Sequence, residues 1–168
     1  VYAIRAFDIP DPSRQARGRP INNVIPLSSD ESISTFVVLN NVDDNGYLFM
    51  STKMGMINKI PVTLFKKIRS TGLKAIVLKP GDELLGAHYT SPNQQLMLVA
   101  DNGKAIRFSE QDVRERFRGT LGVKGMQLTS NCSLVSLLKP NDGEIITVTE
   151  NGYGNRVSID NYNVQKRG

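Results

Sequence analysis

Three stretches of the chain repeat one pattern at a spacing of about fifty residues, and this repetition limits the possible folds more than any other feature. The stretches begin at Leu48, Leu96 and Ile145 and align without gaps. In each of them a turn glycine is followed four positions later by a basic residue, and both positions recur 48 and 49 residues apart: Gly55, Gly103 and Gly152, with Lys59, Arg107 and Arg156. A repeat of this length is typical of propeller blades, which bury their apolar faces against one another.

A second element recurs between these stretches and completes the repeating unit. Leu27, Leu78 and Leu128 are spaced 51 and 50 residues apart, and each precedes a turn of mainly polar residues. We therefore divide one domain, residues 1–168, into two complete and two partial repeats: 1–45 (partial), 46–93, 94–142 and 143–168 (partial). With about four strands per repeat, this pattern predicts an all-β, propeller-like fold of about three blades.

Short runs of alternating apolar residues predict the strands of each repeat. These runs cover residues 47–51, 84–89, 96–100, 134–138 and 145–149. The Asn-Gly pairs at 102–103 and 151–152 predict two-residue hairpins with type I′ turns. Helical pattern is scarce, and it predicts only a piece of two turns after an N-cap at Ser109 and a similar piece from Pro61.

The composition excludes several classes of site. Of the 168 residues, 39% are hydrophobic and 22% charged, as in folded domains, and no apolar run approaches the ~20 residues of a membrane-spanning helix. The single cysteine, Cys132, and the single histidine, His88, are too few for a zinc site of the Cys/His type or for an internal disulfide. His88 has no counterpart in the other repeats. We therefore expect no catalytic residue, cofactor or metal, and a cytoplasmic location.

The basic residues are segregated into four windows that recur in phase with the repeat: 14–19, 66–74, 114–124 and 166–167. The windows hold thirteen of the 21 Lys and Arg residues and one acid, a charge of +12, whereas the rest of the chain carries eight basic and fifteen acidic residues, a charge of −7. Because equivalent positions of successive blades lie at the same radius, the windows predict a continuous positive band. We expect phosphate contacts from Arg14, Arg17, Arg19, Lys66, Lys67, Arg69, Lys74, Arg114, Arg116, Arg118, Lys124, Lys166 and Arg167.

A glycine lies within two residues of an arginine or lysine in or directly beside every window. A glycine lets the backbone approach a phosphate closely, and an arginine binds it through two hydrogen bonds. The alternative interpretation is a solvated edge that keeps the protein soluble, which is the role of most charge runs. Four windows in phase, with a single acid among them, favour nucleic acid.

Four segments carry a family resemblance: VYAIRAFDIPDPSRQARGRPINNVIPL from Val1, GDELLGAHYTS from Gly81, GKAIRFSEQDVRERFRGTLGVKGMQL from Gly103 and ITVTENGYGNR from Ile146. They resemble the C-terminal DNA-wrapping domain of DNA gyrase A, a type IIA topoisomerase. The resemblance implies a β-pinwheel, a propeller-like disc whose neighbouring blades exchange strands and whose basic rim wraps duplex DNA without sequence preference. Residues 165–168 resemble the first four positions of the family's heptapeptide Gln-Arg-Arg-Gly-Gly-Lys-Gly.

The same resemblance implies the partners and the role of the domain. The partners are double-stranded DNA and, in the holoenzyme, the rest of gyrase A together with gyrase B, with no membrane and no small-molecule substrate. Wrapping supports ATP-dependent negative supercoiling by the whole enzyme. The ATPase, the cleaving tyrosine and the metal-binding acids of the family belong to other parts of that enzyme, so we expect this domain to be non-catalytic.

Two other functions stay open on the sequence. One is the equivalent domain of the gyrase A homologue in topoisomerase IV, which engages DNA for decatenation. The other is a propeller that serves as an interaction platform for an acidic protein, through a face of the disc rather than its rim.

Overall fold

A computed structural model describes residues 1–40 and 45–167 of the chain, and this part of it contains strands and short 3₁₀ helices but no α-helix. The strands are β1 (Tyr47–Thr52), β2 (Met56–Pro61), β3 (Leu84–Thr90), β4 (Gln95–Ala100), β5 (Ala105–Ser109), β6 (Val123–Lys124), β7 (Leu134–Leu138), β8 (Glu144–Val148) and β9 (Gly154–Ser158). The 3₁₀ helices are Ala6–Asp8, Ile21–Asn23, Val62–Phe65, Glu110–Asp112 and Ile159–Asn161. The prediction of an all-β fold is confirmed, and each predicted strand lies within one residue of its expected limits.

The strands form three antiparallel sheets, one for each of the three aligned stretches. The first sheet has the order β3-β1-β2-β6, the second has the order β5-β4-β7, and the third is the hairpin β8-β9. In the first sheet the central strand β1 places Phe49 opposite Lys59 of β2 and His88 of β3. The second sheet repeats this register, with Met97 opposite Arg107.

Neighbouring sheets exchange strands, as the pinwheel resemblance implies. Strand β6 follows the second hairpin along the chain but pairs with β2 of the first sheet. One repeat further along, Val164 follows the third hairpin and forms a bridge with Arg107 of the second sheet. At the other end, the Leu73 N–H donates to the Val1 carbonyl (2.9 Å). The first and second sheets, and the chain at Val1, are thus each joined by residues of the following repeat.

The predicted type I′ turns are wrong. Gly103 has a φ of 79°, but Asn102 is not among the residues with positive φ. The Gly103 N–H donates to the Ala100 carbonyl (3.0 Å), and the Ala100 N–H donates to the Lys104 carbonyl (2.8 Å). This is a three-residue hairpin loop, a type I turn followed by a left-handed glycine, and residues 149–153 repeat it. The glycine was identified correctly, but the asparagine before it keeps an ordinary φ.

The predicted helical pieces are each a single 3₁₀ turn. Ser109 caps the second of them, since its Oγ accepts from the Gln111 N–H (3.3 Å). The piece does not continue, because Val113 has an extended backbone (φ −107°, ψ 112°) and a side chain that is 1% exposed in the core. The piece after Pro61 ends similarly at Phe65, whose side chain is also buried.

The core consists of two apolar clusters on opposite faces of the first sheet. One contains Phe49 and joins the first sheet to the second, where the rings of Phe49 and Phe108 lie 6.2 Å apart. The other contains Leu48 and Met50 and extends to the segment before residue 41 through Val37. Strand β1 is therefore covered on both faces, as its apolar sequence requires. No helix in the described part of the chain has the length and apolar character that crossing a bilayer demands.

Candidate nucleic-acid interface

The basic windows lie at the surface. Twelve of the thirteen basic side chains that we expect to contact phosphates belong to exposed residues, and Arg167 is half-buried. By contrast, Lys59 and Arg107, which lie outside the windows, are buried and half-buried. Five of the eight basic residues outside the windows are exposed as well, so the windows differ from the rest of the chain in their density of positive charge rather than in exposure.

Backbone hydrogen bonds join the second window to the third. The third window runs along the β2 edge of the first sheet, where the Arg116 N–H donates to the Lys59 carbonyl (2.9 Å). It then runs parallel to the chain that leaves the second window, where the Gly119 N–H donates to the Ala75 carbonyl (2.7 Å). Ile76 and Thr120 form a parallel bridge at the same place. These bonds fix the path of the chain between the second window and the end of the third.

Arg167 joins the fourth window to the third. Its guanidinium donates to the Asp112 carbonyl (3.1 Å) through Nε and to the Lys124 carbonyl (2.9 Å) through Nη1. Arg114, Arg116 and Arg167 consequently line one shallow pocket. Asp112 also lines this pocket, so its three arginines outnumber one acid there. A phosphate, which accepts hydrogen bonds from several donors at once, suits such a net positive pocket.

Four acidic residues pair with basic residues outside the windows. The four ion pairs between described residues are Arg5 with Asp8, Lys53 with Glu83, Lys59 with Glu110 and Arg156 with Glu144. Within the third window, Lys124 donates to the neutral Gln127 Oε1 (2.7 Å). Both members of each of these four ion pairs lie outside the windows.

The first window is set apart from the other three. Arg14, Arg17 and Arg19 lie on an exposed stretch that leads into the 3₁₀ helix Ile21–Asn23. The stretch contains one turn, in which the Ala16 N–H donates to the Ser13 carbonyl (2.9 Å). The structure therefore brings together windows two, three and four and leaves the first on its own segment. Gly168, the last residue of the heptapeptide-like segment, lies outside the described residues.

The remaining candidate residues have structural partners. His88 Nε2 lies 2.9 Å from the Leu137 carbonyl oxygen, so it connects β3 to β7. Cys132 Sγ lies 3.0 Å from Thr129 Oγ1. No cluster of three or more His, Cys, Asp or Glu side chains within the described ranges could hold a metal ion.

Tyr47 is the titratable group beside the third window that sequence reasoning missed. Burial raises the pKa of its phenol, and the negative charges of Glu115 and Glu110 raise it further. A raised pKa keeps the phenol neutral, so Tyr47 adds no charge to the interface near neutral pH. The sequence carries no signal for this, because Glu115 comes from the following repeat.

Comparison with known proteins identifies relatives along the whole chain. The family model described as "DNA gyrase C-terminal domain, beta-propeller" matches residues 1–40, 46–91, 94–141 and 143–168. The DNA gyrase A protein of Buchnera aphidicola is 40% identical over 168 residues and that of Escherichia coli is 39% identical, in each case over 99% of this chain. The chain spans only 20% and 19% of the length of these two relatives.

Solved structures show the same likeness. A DNA gyrase A C-terminal domain matches with a TM-score of 0.84 and 30% identity, over 99% of this chain and 54% of that one. The C-terminal domain of a DNA topoisomerase IV matches with a TM-score of 0.82 and 31% identity, over 90% of this chain and 48% of that one. The Escherichia coli ParC C-terminal domain, at 17% identity and a TM-score of 0.71, shares the fold, with matches over 99% and 69% of the two chains.

Proposed function

Because the chain belongs to the DNA gyrase C-terminal domain family, we propose that it binds double-stranded DNA without sequence preference, through phosphate contacts along its basic windows. One observation carries this proposal. Windows two, three and four are joined in series by hydrogen bonds, and their side chains are exposed except for the half-buried Arg167. Each phosphate that a basic residue neutralises releases counterions, which adds binding energy that is independent of sequence.

The bound duplex bends around the chain. Bending a duplex by 40–90° costs of the order of 1–6 kcal/mol, which a single window cannot offset. Windows repeated at the blade spacing supply phosphate contacts over a longer arc, so the cost is spread over several of them. This supports wrapping rather than docking at one point.

In the whole protein, this domain is the DNA-wrapping part of gyrase A. It works with the rest of gyrase A and with gyrase B, and wrapping supports ATP-dependent negative supercoiling. The chemistry resides elsewhere in the enzyme, and the domain itself is non-catalytic. A cytoplasmic, nucleoid-associated location follows from the DNA partner. We retain the division into repeats at 1–45, 46–93, 94–142 and 143–168 as part of the proposal.

The second candidate is the equivalent domain of topoisomerase IV, which the TM-score of 0.82 favours almost as strongly. The gyrase assignment is preferred because gyrase A sequences match at 40% and 39% identity over 99% of the chain. Both candidates require the same contacts to DNA phosphates.

Equilibrium binding to random-sequence duplexes of increasing length, repeated over a series of salt concentrations, tests the proposal. We expect the affinity to rise with duplex length and to fall linearly on a log–log salt plot, with a slope of about −0.9 per phosphate neutralised. Equal affinity for unrelated sequences is part of the expectation. Absence of binding at low salt would contradict the DNA proposal and favour the platform for an acidic protein.

A further inference from the structure

The basic residue four positions after each hairpin glycine lies outside the windows and has no part in the proposed phosphate contacts. In the first two repeats this residue is Lys59 and Arg107. Lys59 is 6% exposed, although a lysine is almost never buried unless its charge is paired. The following repeat supplies partners to both residues.

Lys59 is bound at both ends by the repeat that follows it. Its Nζ lies 2.9 Å from Glu110 Oε2 and donates to the Glu110 carbonyl (3.3 Å). The same ammonium stands 4.1 Å from the centre of the Tyr47 ring, which belongs to the facing strand. The Lys59 carbonyl accepts the N–H of Arg116, a residue of the third window.

Arg107 makes the same connection with different chemistry. Its Nη1 donates to the Ile159 carbonyl (2.8 Å) and the Tyr162 carbonyl (3.2 Å), and its Nε donates to Gln95 Oε1 (2.6 Å). The Arg107 carbonyl accepts the N–H of Gln165, the residue before the fourth window (2.9 Å).

The two sets of partners occupy equivalent positions. Glu110 and Ile159 are each the first residue of a 3₁₀ helix, and they are 49 residues apart. Tyr47 and Gln95 are each the first residue of a central strand, 48 apart. An ion pair in one junction and neutral acceptors in the other thus join a blade to the next at the start of a 3₁₀ helix, while Tyr47 and Gln95 contact the cation from within its own sheet.

We propose that Lys59 and Arg107 are positioning residues that fix the angle between consecutive blades and thereby aim the basic windows along one path for the duplex. This inference rests on the proposed function. Each of these cations is held by protein acceptors that include a carbonyl four residues before a window, Glu110 for Lys59 and Tyr162 for Arg107. Their effect on DNA therefore passes through the windows, and neither residue contacts a phosphate.

Arg107→Met in the full 168-residue chain is the decisive variant, because the acceptors that it leaves are neutral. Two readouts separate its effects. The first is the affinity for a short duplex of about one helical turn, roughly 10 base pairs, chosen to engage one window. The second is the end-to-end distance of a long duplex at saturation, measured by energy transfer. Lys104→Met is the matched control, since it removes one exposed charge from the same hairpin.

For Arg107→Met we expect the affinity for the short duplex to stay within about twofold of that of the parent chain. We expect the long duplex to bind about tenfold more weakly and to keep a longer end-to-end distance, because misaligned windows lose the contacts that sustain a bend. Lys104→Met should leave the end-to-end distance unchanged. Unchanged bending by folded Arg107→Met would overturn the inference, as would equal losses on both duplexes, which would make Arg107 a phosphate ligand. If Arg107→Met fails to fold, Arg107→Gln is measured against the same expectations.

A measurement without DNA keeps this inference separate from the proposed function. Spin labels on the introduced cysteines of Asn102→Cys and Asn151→Cys, in a Cys132→Ser background, report the distance between the second and third hairpins. We expect Arg107→Met to broaden or shift this distribution even if the parent chain binds no duplex. An unchanged distribution would overturn the positioning role, whereas failure of the parent to bind duplex would overturn only the function.

Discussion

Gly122 lies so close to strand β2 that a β-carbon on it would overlap the carbonyl oxygen of Ile57. Its φ of 78° lies in the left-handed region that favours glycine. The third window therefore meets the β2 edge of the first sheet at a point where a side chain fits neither the space nor the backbone. This close approach immediately precedes strand β6, which pairs with β2.

Gly122→Ala should destabilise the chain by about 2–3 kcal/mol, because the alanine adds left-handed strain to a clash with backbone. Urea unfolding followed by circular dichroism measures the change. Gly86→Ala is the control, since a β-carbon at Gly86 would meet no atom within 4 Å. Equal stability of the two variants would show that there is room for a side chain between residue 122 and strand β2.

Removing one partner of the buried Lys59–Glu110 pair should lower the free energy of unfolding much more than removing both. Lys59→Met leaves the Glu110 carboxylate, whose side chain is 2% exposed, without its cation, and we expect a loss of about 3–5 kcal/mol. The double variant Lys59→Met, Glu110→Leu should recover most of it, since well-packed apolar residues replace a buried pair at little cost. A double-mutant cycle from denaturant unfolding measures the coupling, and strictly additive losses would contradict it.

Two phenylalanines provide a matched test of the core. Phe49 is fully buried between the first and second sheets, and Phe49→Ala should cost about 3–5 kcal/mol through lost burial and the cavity left behind. Phe117 is 75% exposed, and Phe117→Ala should change stability by no more than about 0.5 kcal/mol. Thermal or urea unfolding compares them, and similar losses would mean that Phe117 packs against a surface in solution.

The third hairpin should be the least protected sheet of the 168-residue chain. Ile146 and Val148 of β8 are 69% and 68% exposed, whereas Met97, the counterpart of Ile146 in β4, is 1% exposed. Amides with few buried neighbours open locally at low free energy. Hydrogen exchange should therefore be faster in β8 and β9 than in β4 and β5. Equal protection would show that a surface covers the third hairpin in solution.

The sequence predicted the repeated elements well because they depend on local pattern. Alternation located five of the nine described strands to within one residue, and spacing identified the hairpin glycines. The turn type was wrong because Asn-Gly is compatible with several hairpin loops, and strand pairing decides among them. Lys59 and Arg107 were recognised as a recurring position but not as inter-blade contacts. Their partners in the following repeat lie about fifty residues away, and only packing brings them together.

The basic windows show the same limit of prediction from sequence. The exposure of twelve of the thirteen window residues could be predicted from their charge, since unpaired cations remain in water. The half-buried position of Arg167 could not, because its acceptors are the carbonyls of Asp112 and Lys124, and any residue type supplies a carbonyl.

The central claim is that the windows, rather than the net charge, bind DNA phosphates. Two variants with the same loss of charge test it most directly: Arg114, Arg116 and Arg118 all changed to Gln, and Lys53, Lys79 and Lys104 all changed to Gln. The measurement is the salt dependence of binding to one random-sequence duplex. We expect the slope of the log–log plot to decrease in magnitude by about 1 per window arginine removed and to stay at the parent value for the three lysines outside the windows. Equal decreases in both variants, or no decrease in the window variant, would contradict the claim.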